Sequence, residues 1–99
     1  MTDSAVELTR GFKDGKWTAV ETTQLFLDRI NANDSKVHAF LSVDADRALA
    51  DARKVDEKRE AGQSLGRLAG IPVAVKDLIC TQEWATTCGS KMLETYRPP

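Results

Sequence analysis

The chain has few of the residues from which metal sites and disulfide frameworks are built. Its 99 residues include one histidine and two cysteines, Cys80 and Cys88. Seven residues separate the cysteines, a gap that does not match a zinc site, and one pair is too few for a disulfide framework. We therefore expect no metal site, and we interpret both cysteines as small, half-buried residues.

Long apolar runs and a large charge of one sign are also absent. The net charge is −1, which gives no electrostatic case for direct nucleic-acid binding. No apolar run approaches the roughly 20 residues of a membrane span, and residues 1–10 are polar, unlike a signal peptide. With 41% hydrophobic and 29% charged residues, the composition predicts one small domain located in the cytoplasm.

Helix signals dominate residues 1–35. Ser4 is suited to cap a short first helix. Thr18 and Glu21 have the spacing of a capping box, and apolar residues then recur at helical spacing. These signals predict a second helix that ends within residues 31–35.

A third, longer helix is predicted after residue 43. Asp44 is suited to cap it, and Gly62 is suited to end it just after Ala61. Its charged side chains recur at spacings of three and four residues, which is typical of a solvated surface helix.

Two segments have the pattern of strands. Residues 37–43 alternate between apolar and other side chains, with His38 near the start. His38 could be catalytic or structural. We favour a structural role, because the chain contains no second histidine and no nearby pair of acid and nucleophile. The second segment, residues 71–75, is apolar and β-branched, with a possible continuation at 78–81.

Lys76 follows the second predicted strand directly. A buried ammonium must be paired, lose its proton or point into a cavity, and each of these states is useful to an enzyme. The alternative is that the strand ends at Val75 and that Lys76 reaches solvent. Residues 86–90 present a similar choice. Small hydroxyl-bearing residues either line a site or form a turn that caps a short helix over 90–94.

Three segments together resemble the start of the amidase signature family: residues 70–77 (GIPVAVKD), residues 86–90 (TTCGS) and residues 91–99 (KMLETYRPP). The resemblance implies an α/β fold, in which a mixed sheet is covered by helices. This piece would supply three main helices and two or three strands. Residues 1–99 would form one partial domain at the N-terminus of an amidase domain, helical over 1–35, with the strands and the long helix in 36–99.

The resemblance also implies a mechanism. Members of the family cleave amides with a Ser–Ser–Lys triad, and Lys76 matches the position of the lysine that relays the proton. Ser64 and Ser90 do not lie in the glycine- and serine-rich motif that carries the two serines. We therefore expect these 99 residues alone to have no amidase activity, since the members of a triad act as a unit. No substrate-binding residue is predicted.

The last of these segments is most similar to the branch of the family that serves tRNA-dependent amidotransferases. That similarity implies hydrolysis of glutamine and transfer of ammonia to partner subunits, which would hold ATP and magnesium and contact the tRNA. Residues 62–70 lack the spacing of a phosphate-binding loop, so we expect no cofactor in this chain. Two alternatives remain open: another amidase acting on small amides, and a non-catalytic small protein that acts through its surface.

Overall fold

The computed structural model describes residues 4–99, and the regular structure within them is helical throughout. Predictions for residues 1–3 lie outside this described part. The elements follow in chain order as α1 (Ala5–Lys13), α2 (Ala19–Val37), α3 (Ala45–Glu60) and a 3₁₀ turn (Lys91–Leu93).

The predicted helix starts are confirmed. Ser4 occupies the N-cap position of α1. At α2 the capping box is complete: the Thr18 hydroxyl accepts a hydrogen bond from the Glu21 amide at 3.0 Å, and the Glu21 carboxylate accepts one from the Thr18 amide at 2.8 Å. Asp44 caps α3 by accepting a hydrogen bond from the Arg47 amide at 3.0 Å. Local hydrogen bonding from the cap side chain thus determines where α2 and α3 begin.

Phe12 lies at the centre of the small core. Its side chain is fully buried and packs with Ala19 and Ala52, so it joins all three helices. Gly70, in the loop after α3, has a φ of +82° and covers the Phe12 ring. A Cβ at this glycine would lie 2.6 Å from the ring, so both the backbone conformation and the close approach require glycine.

Arg59 of α3 ties this core to the end of α1. One guanidinium nitrogen donates to the backbone carbonyls of Phe12, at 2.6 Å, and Trp17, at 3.0 Å. The guanidinium also lies 4.4 Å from the centre of the Phe12 ring, within range of a cation–π contact. A single side chain therefore satisfies two carbonyls and packs on the central aromatic residue.

The chain is less compact than a globular domain of its length. Its radius of gyration is 15.0 Å, against about 13 Å expected for 100 residues. Many large apolar side chains remain exposed, including four that flank Lys76: Val73, Val75, Leu78 and Ile79. The packed core is confined to the helices and the loop that follows α3.

The predicted strand over residues 37–43 is wrong. Val37 is the last residue of α2, and His38 caps that helix in a left-handed conformation with a φ of 54°. The Asp34 carboxylate then accepts hydrogen bonds from the amides of Ala39, at 2.8 Å, and Phe40, at 3.4 Å. These amides satisfy the end of a helix, so they are not available to pair with a neighbouring strand.

The predicted strands at 71–75 and 78–81 are also wrong. Residues 71–76 have no regular structure and find no ladder partner within the described chain, and residues 77–79 form a turn and bend. A strand is defined by pairing, and an apolar β-branched run does not supply a partner by itself. The expected α/β mixed sheet is therefore contradicted, since residues 4–99 contain three helices and no strand.

Candidate functional site around Lys76 and Asp77

Lys76 lies at the end of a solvent-exposed segment without regular structure. Residues 73–76 are all exposed, so the interpretation of a buried strand with an ammonium in it is wrong, and the alternative that Lys76 reaches solvent holds. The Lys76 carbonyl accepts a hydrogen bond from the Ile79 amide at 2.9 Å. The backbone thus turns immediately after the lysine.

The Asp77 carboxylate binds the segment that lies ten residues further along the chain. One oxygen accepts a hydrogen bond from the Thr87 amide at 2.8 Å. The other accepts hydrogen bonds from the Thr87 hydroxyl and from the Gly89 amide, the latter at 3.3 Å. The Asp77 carbonyl also accepts a bond from the Cys88 amide at 3.1 Å. Backbone and side chain of one residue together hold three consecutive residues.

The turn that Asp77 holds has an uncommon backbone. Cys88 and Gly89 both have positive φ values, 51° and 68°, and this conformation is costly for a residue with a side chain such as Cys88. The Ser90 amide donates to the Thr87 carbonyl at 2.8 Å and closes the turn. The hydrogen bonds to Asp77 compensate for the strained conformation, because they occupy the amides that the turn directs to one side.

The electrostatics of Asp77 follow from these contacts. Its pKa lies below the ordinary range, first because of the hydrogen bond from the Thr87 hydroxyl, and also because of those from the Thr87 and Gly89 amides. Each of these donors stabilises the charged carboxylate. Asp77 is therefore a charged acceptor at neutral pH.

Thr86 joins the same region to the end of the chain. It is buried, its amide donates to the Tyr96 carbonyl at 2.9 Å, and its hydroxyl donates to the Ile79 carbonyl at 3.4 Å. Arg97 donates to the Glu83 carbonyl at 3.0 Å. Residues 76–97 are thus organised by polar contacts instead of by a packed core.

Residues 86–90 form the capped turn that was one of the two interpretations. Ser90 caps the 3₁₀ turn by accepting a hydrogen bond from the Met92 amide at 3.3 Å, as the predicted short helix over 90–94 required. Thr86 and Thr87 hold the turn together. The pairing of Asp77 with Thr87 was not found from the sequence, because a carboxylate and a threonine ten residues apart have no periodic pattern.

Ser64 and Ser90, which lie outside the family's serine motif, are not joined to Lys76. Ser90 uses its hydroxyl as a cap, and Ser64 is exposed in the loop after α3. Within residues 4–99, no hydrogen bond joins the Lys76 ammonium to either hydroxyl, and the Ser90 hydroxyl bonds to the Met92 amide. In the described part of the chain, Lys76 therefore has no serine paired with it.

The chain's histidine and its two cysteines are exposed. His38 is exposed at the end of α2. Cys80 and Cys88 are free and exposed, so the prediction that they are half-buried is wrong. The described residues contain no cluster of three His, Cys, Asp or Glu side chains suited to a metal ion, and none of their helices has the length and apolar character to cross a membrane.

An open groove near the start of α3 is lined by residues 42–46, residues 83–85 and Arg97. Lys76 and Asp77 are not part of its lining. Glu83 of this lining forms an ion pair with Arg47 of α3 at 3.1 Å. The groove is therefore separate from the candidate site.

The class of protein follows from the segment that carries this site. A model of the amidase family matches residues 21–99, which include Lys76, Asp77 and the turn at Thr87. The chain belongs to the amidase family.

Within that family, the chain is similar to the N-terminal part of the A subunit of glutamyl-tRNA(Gln) amidotransferase from several bacteria. It is 53% identical to the Streptomyces coelicolor protein over 96 residues, which are 97% of this chain and 19% of that protein. It is 55% identical to the Salinispora tropica protein over 96 residues, which are 97% of this chain and 20% of that one. The chain thus spans about a fifth of the length of these relatives.

A solved structure is also similar to this chain in three dimensions. It describes a vestigial protein complex that reveals the evolutionary origins of an s-triazine catabolic enzyme, with an inhibitor bound. This chain superimposes on it with a TM-score of 0.89 at 34% identity, over 97% of this chain and 21% of that one.

Proposed function

We propose that this chain supplies the relay lysine, Lys76, of an amidase that hydrolyses glutamine for a glutamyl-tRNA(Gln) or aspartyl-tRNA(Asn) amidotransferase. The observation that carries the proposal is the match of residues 70–77 to the family's lysine motif, within a chain 53–55% identical to these amidotransferase subunits over 97% of its length. The exposure of Lys76 supports it, because a relay lysine has to be reachable by groups from outside this segment.

The role of Lys76 is to take a proton and return it. A neutral amine would accept the proton that a serine hydroxyl loses when it attacks the glutamine carboxamide, and would give it back to the departing ammonia. The two serines are expected from the rest of an amidase domain. For that reason the 99 residues alone should release no ammonia from glutamine.

The other steps of the proposed reaction would take place in partner subunits. Ammonia would pass to another amidotransferase subunit, which would hold ATP and magnesium and amidate the activated aminoacyl-tRNA. Nothing in the spacing of residues 62–70 supports a phosphate site in this chain. Contact between this chain and tRNA would therefore be indirect.

The proposal is tested in a chimera. This chain replaces the matching segment of the Streptomyces coelicolor amidotransferase subunit, to which it is 53% identical, and glutamine hydrolysis is measured in the assembled complex. Lys76→Ala and Lys76→Arg should each lower kcat by about 10³-fold or more, because removing one member of a triad removes the concerted proton transfer. Lys58→Ala is the matched control, since Lys58 is an exposed lysine on α3. Activity of Lys76→Ala equal to that of Lys58→Ala contradicts the proposal.

A second candidate is an amidase of the same family that acts on small amides without a partner. The match of residues 21–99 to a family described only as amidase, with no substrate named, keeps this candidate open. The identity of 53–55% to amidotransferase subunits favours the first candidate. Substrate choice separates the two. In the chimera, support of glutamine-dependent amidation of tRNA favours the amidotransferase, and loss of that coupling with retained hydrolysis of acetamide or benzamide favours the second candidate.

A further inference from the structure

Asp77 is the residue next to Lys76, and its contacts all lie on the turn at Thr87 and Gly89. The carboxylate accepts hydrogen bonds from the Thr87 amide at 2.8 Å, from the Thr87 hydroxyl and from the Gly89 amide at 3.3 Å. The Gly89 amide also lies 3.2 Å from the Thr87 hydroxyl oxygen. A charged acceptor is therefore surrounded by donors of a different segment.

These contacts restrain the backbone that carries Lys76. Its own carbonyl is held by the Ile79 amide at 2.9 Å, and the carbonyl of the next residue, Asp77, is held by the Cys88 amide at 3.1 Å. The peptide units on the C-terminal side of Lys76 are thus fixed from two directions. On the N-terminal side, the Ile71 amide donates to the Leu68 carbonyl at 3.1 Å, whereas residues 72–75 form no backbone–backbone hydrogen bond within the described chain.

We propose that Asp77 is the positioning residue of Lys76: by holding the turn at Thr87 and Gly89, it sets the direction in which the lysine side chain leaves the backbone. This inference rests on the proposed relay role of Lys76 and adds a residue to it. Asp77 does not exchange protons with the substrate, since its oxygens are occupied by the donors of the turn. Asp77 contributes by orienting the Lys76 side chain.

A positioning role of Asp77 would affect the rate of the chemical step, kcat. A relay lysine displaced by about 1 Å loses about 10²-fold in the chemical step, because proton transfer requires close and aligned groups. Substrate binding depends on other groups and should change little. A purely structural role for Asp77 would instead lower thermal stability and affect kcat and KM together.

The experiment uses the same chimera with three variants. Asp77→Asn places an amide NH₂ where the Gly89 amide needs an acceptor, and Thr87→Val removes the hydroxyl while keeping the shape. We expect each to lower kcat for glutamine by about 10- to 100-fold, with KM within about 2-fold of the parent. Thr87→Ser keeps the hydroxyl that donates to Asp77, so kcat should stay within about 3-fold of the parent. Retained activity in this variant would show that the hydrogen bond, and not the threonine methyl group, matters.

The outcomes separate this inference from the proposed function. If Lys76→Ala abolishes activity while both Asp77→Asn and Thr87→Val keep the parent kcat, the positioning role is wrong and the relay role stands. If Lys76→Ala is fully active, both are wrong. A parallel fall in kcat, rise in KM and loss of melting temperature in Thr87→Val also overturns the positioning role. Should Asp77→Asn fail to fold, the comparison of Thr87→Val with Thr87→Ser decides the question.

Discussion

The Asp56 carboxylate of α3 accepts a hydrogen bond from the Ala19 amide at 2.7 Å, although the two residues are 37 positions apart. Its second oxygen accepts one from the Val20 amide at 3.1 Å. The first amides of a helix have no partner within the helix, and here a side chain from another helix satisfies them. The same contact places a negative charge at the positive end of α2. Asp56 therefore joins α2 and α3 by a polar contact at the edge of the core.

Replacing Asp56 by alanine should destabilise the chain. The change leaves the Ala19 and Val20 amides without their acceptor, which we expect to cost about 1–2 kcal/mol in the free energy of unfolding. Urea denaturation followed by circular dichroism measures the difference. Asp51→Ala is the matched control on the same helix, since Asp51 makes exposed ion pairs with Arg47 and Lys54; it should cost about 0.5 kcal/mol or less. Equal effects of the two substitutions would show that Asp56 is no more than a surface charge.

Gly11 of α1 should not tolerate alanine. A Cβ at this position would lie 2.0 Å from the Trp17 ring, whose indole NH donates to the Leu8 carbonyl at 3.0 Å. Displacing the ring should cost about 1–3 kcal/mol, more than the gain in helix propensity from alanine. Tryptophan fluorescence and urea denaturation measure it. Gly66→Ala is the control, because nothing lies within 4 Å of its Cβ position; a Gly11→Ala protein as stable as this control would contradict the packing described.

Arg59 should not be replaceable by lysine. Its guanidinium donates to the Phe12 and Trp17 carbonyls and stacks on the Phe12 ring. An ammonium cannot reproduce that planar geometry, so Arg59→Lys should lower the free energy of unfolding by about 1–2 kcal/mol. Arg53→Lys, an exposed position on the same helix, should change it by about 0.5 kcal/mol at most. Indistinguishable melting curves for the two variants would mean that charge alone, and not geometry, matters at Arg59.

The turn held by Asp77 should be sensitive to acid. Its pKa is lowered, chiefly by the Thr87 hydroxyl, so the charged form is favoured in the folded chain. The stabilisation is thus complete above the ordinary aspartate pKa of about 3.9 and is lost as pH falls below it, through the lowered folded-state pKa. We expect the Thr87 and Gly89 amide resonances in NMR to titrate with a midpoint below about 3.9.

The control for this titration is Thr87→Val. Removing the hydroxyl removes the first cause of the lowered pKa, so the midpoint of the Gly89 amide should move upward. A midpoint at or above the ordinary aspartate range in the parent chain, or no change in the variant, would show that the carboxylate is not held as described.

Helix starts could be read from the sequence because their signals are local. Thr18 and Glu21 are three residues apart, and the capping box that they form needs no distant partner. Asp44 satisfies its own helix in the same way. The Asp56 contact with Ala19 could not be predicted, since it depends on how α2 and α3 pack.

The strand predictions were wrong because strand pairing depends on distant parts of the chain. The alternation in residues 37–43 fits a strand, but Asp34 takes the amides of Ala39 and Phe40 and ends a helix there. The apolar run before Lys76 also fits a strand, but pairing requires a neighbour that the pattern of one segment does not specify. Lys76 was singled out from the apolar run before it and from the resemblance of residues 70–77 to a family motif, and its role stays a prediction. The contacts of Asp77 with Thr87 became visible only in three dimensions.

The most direct test of the relay role of Lys76 is chemical rescue. In the Lys76→Ala chimera, glutamate formation from glutamine is measured while methylamine is added at a pH near the pKa of the amine. We expect saturable recovery of the rate, because a free amine can occupy the space of the missing side chain and accept the proton; Lys58→Ala should not respond. Full activity of Lys76→Ala without added amine would contradict the central claim, as would an inactive Lys76→Ala that no amine of any size restores.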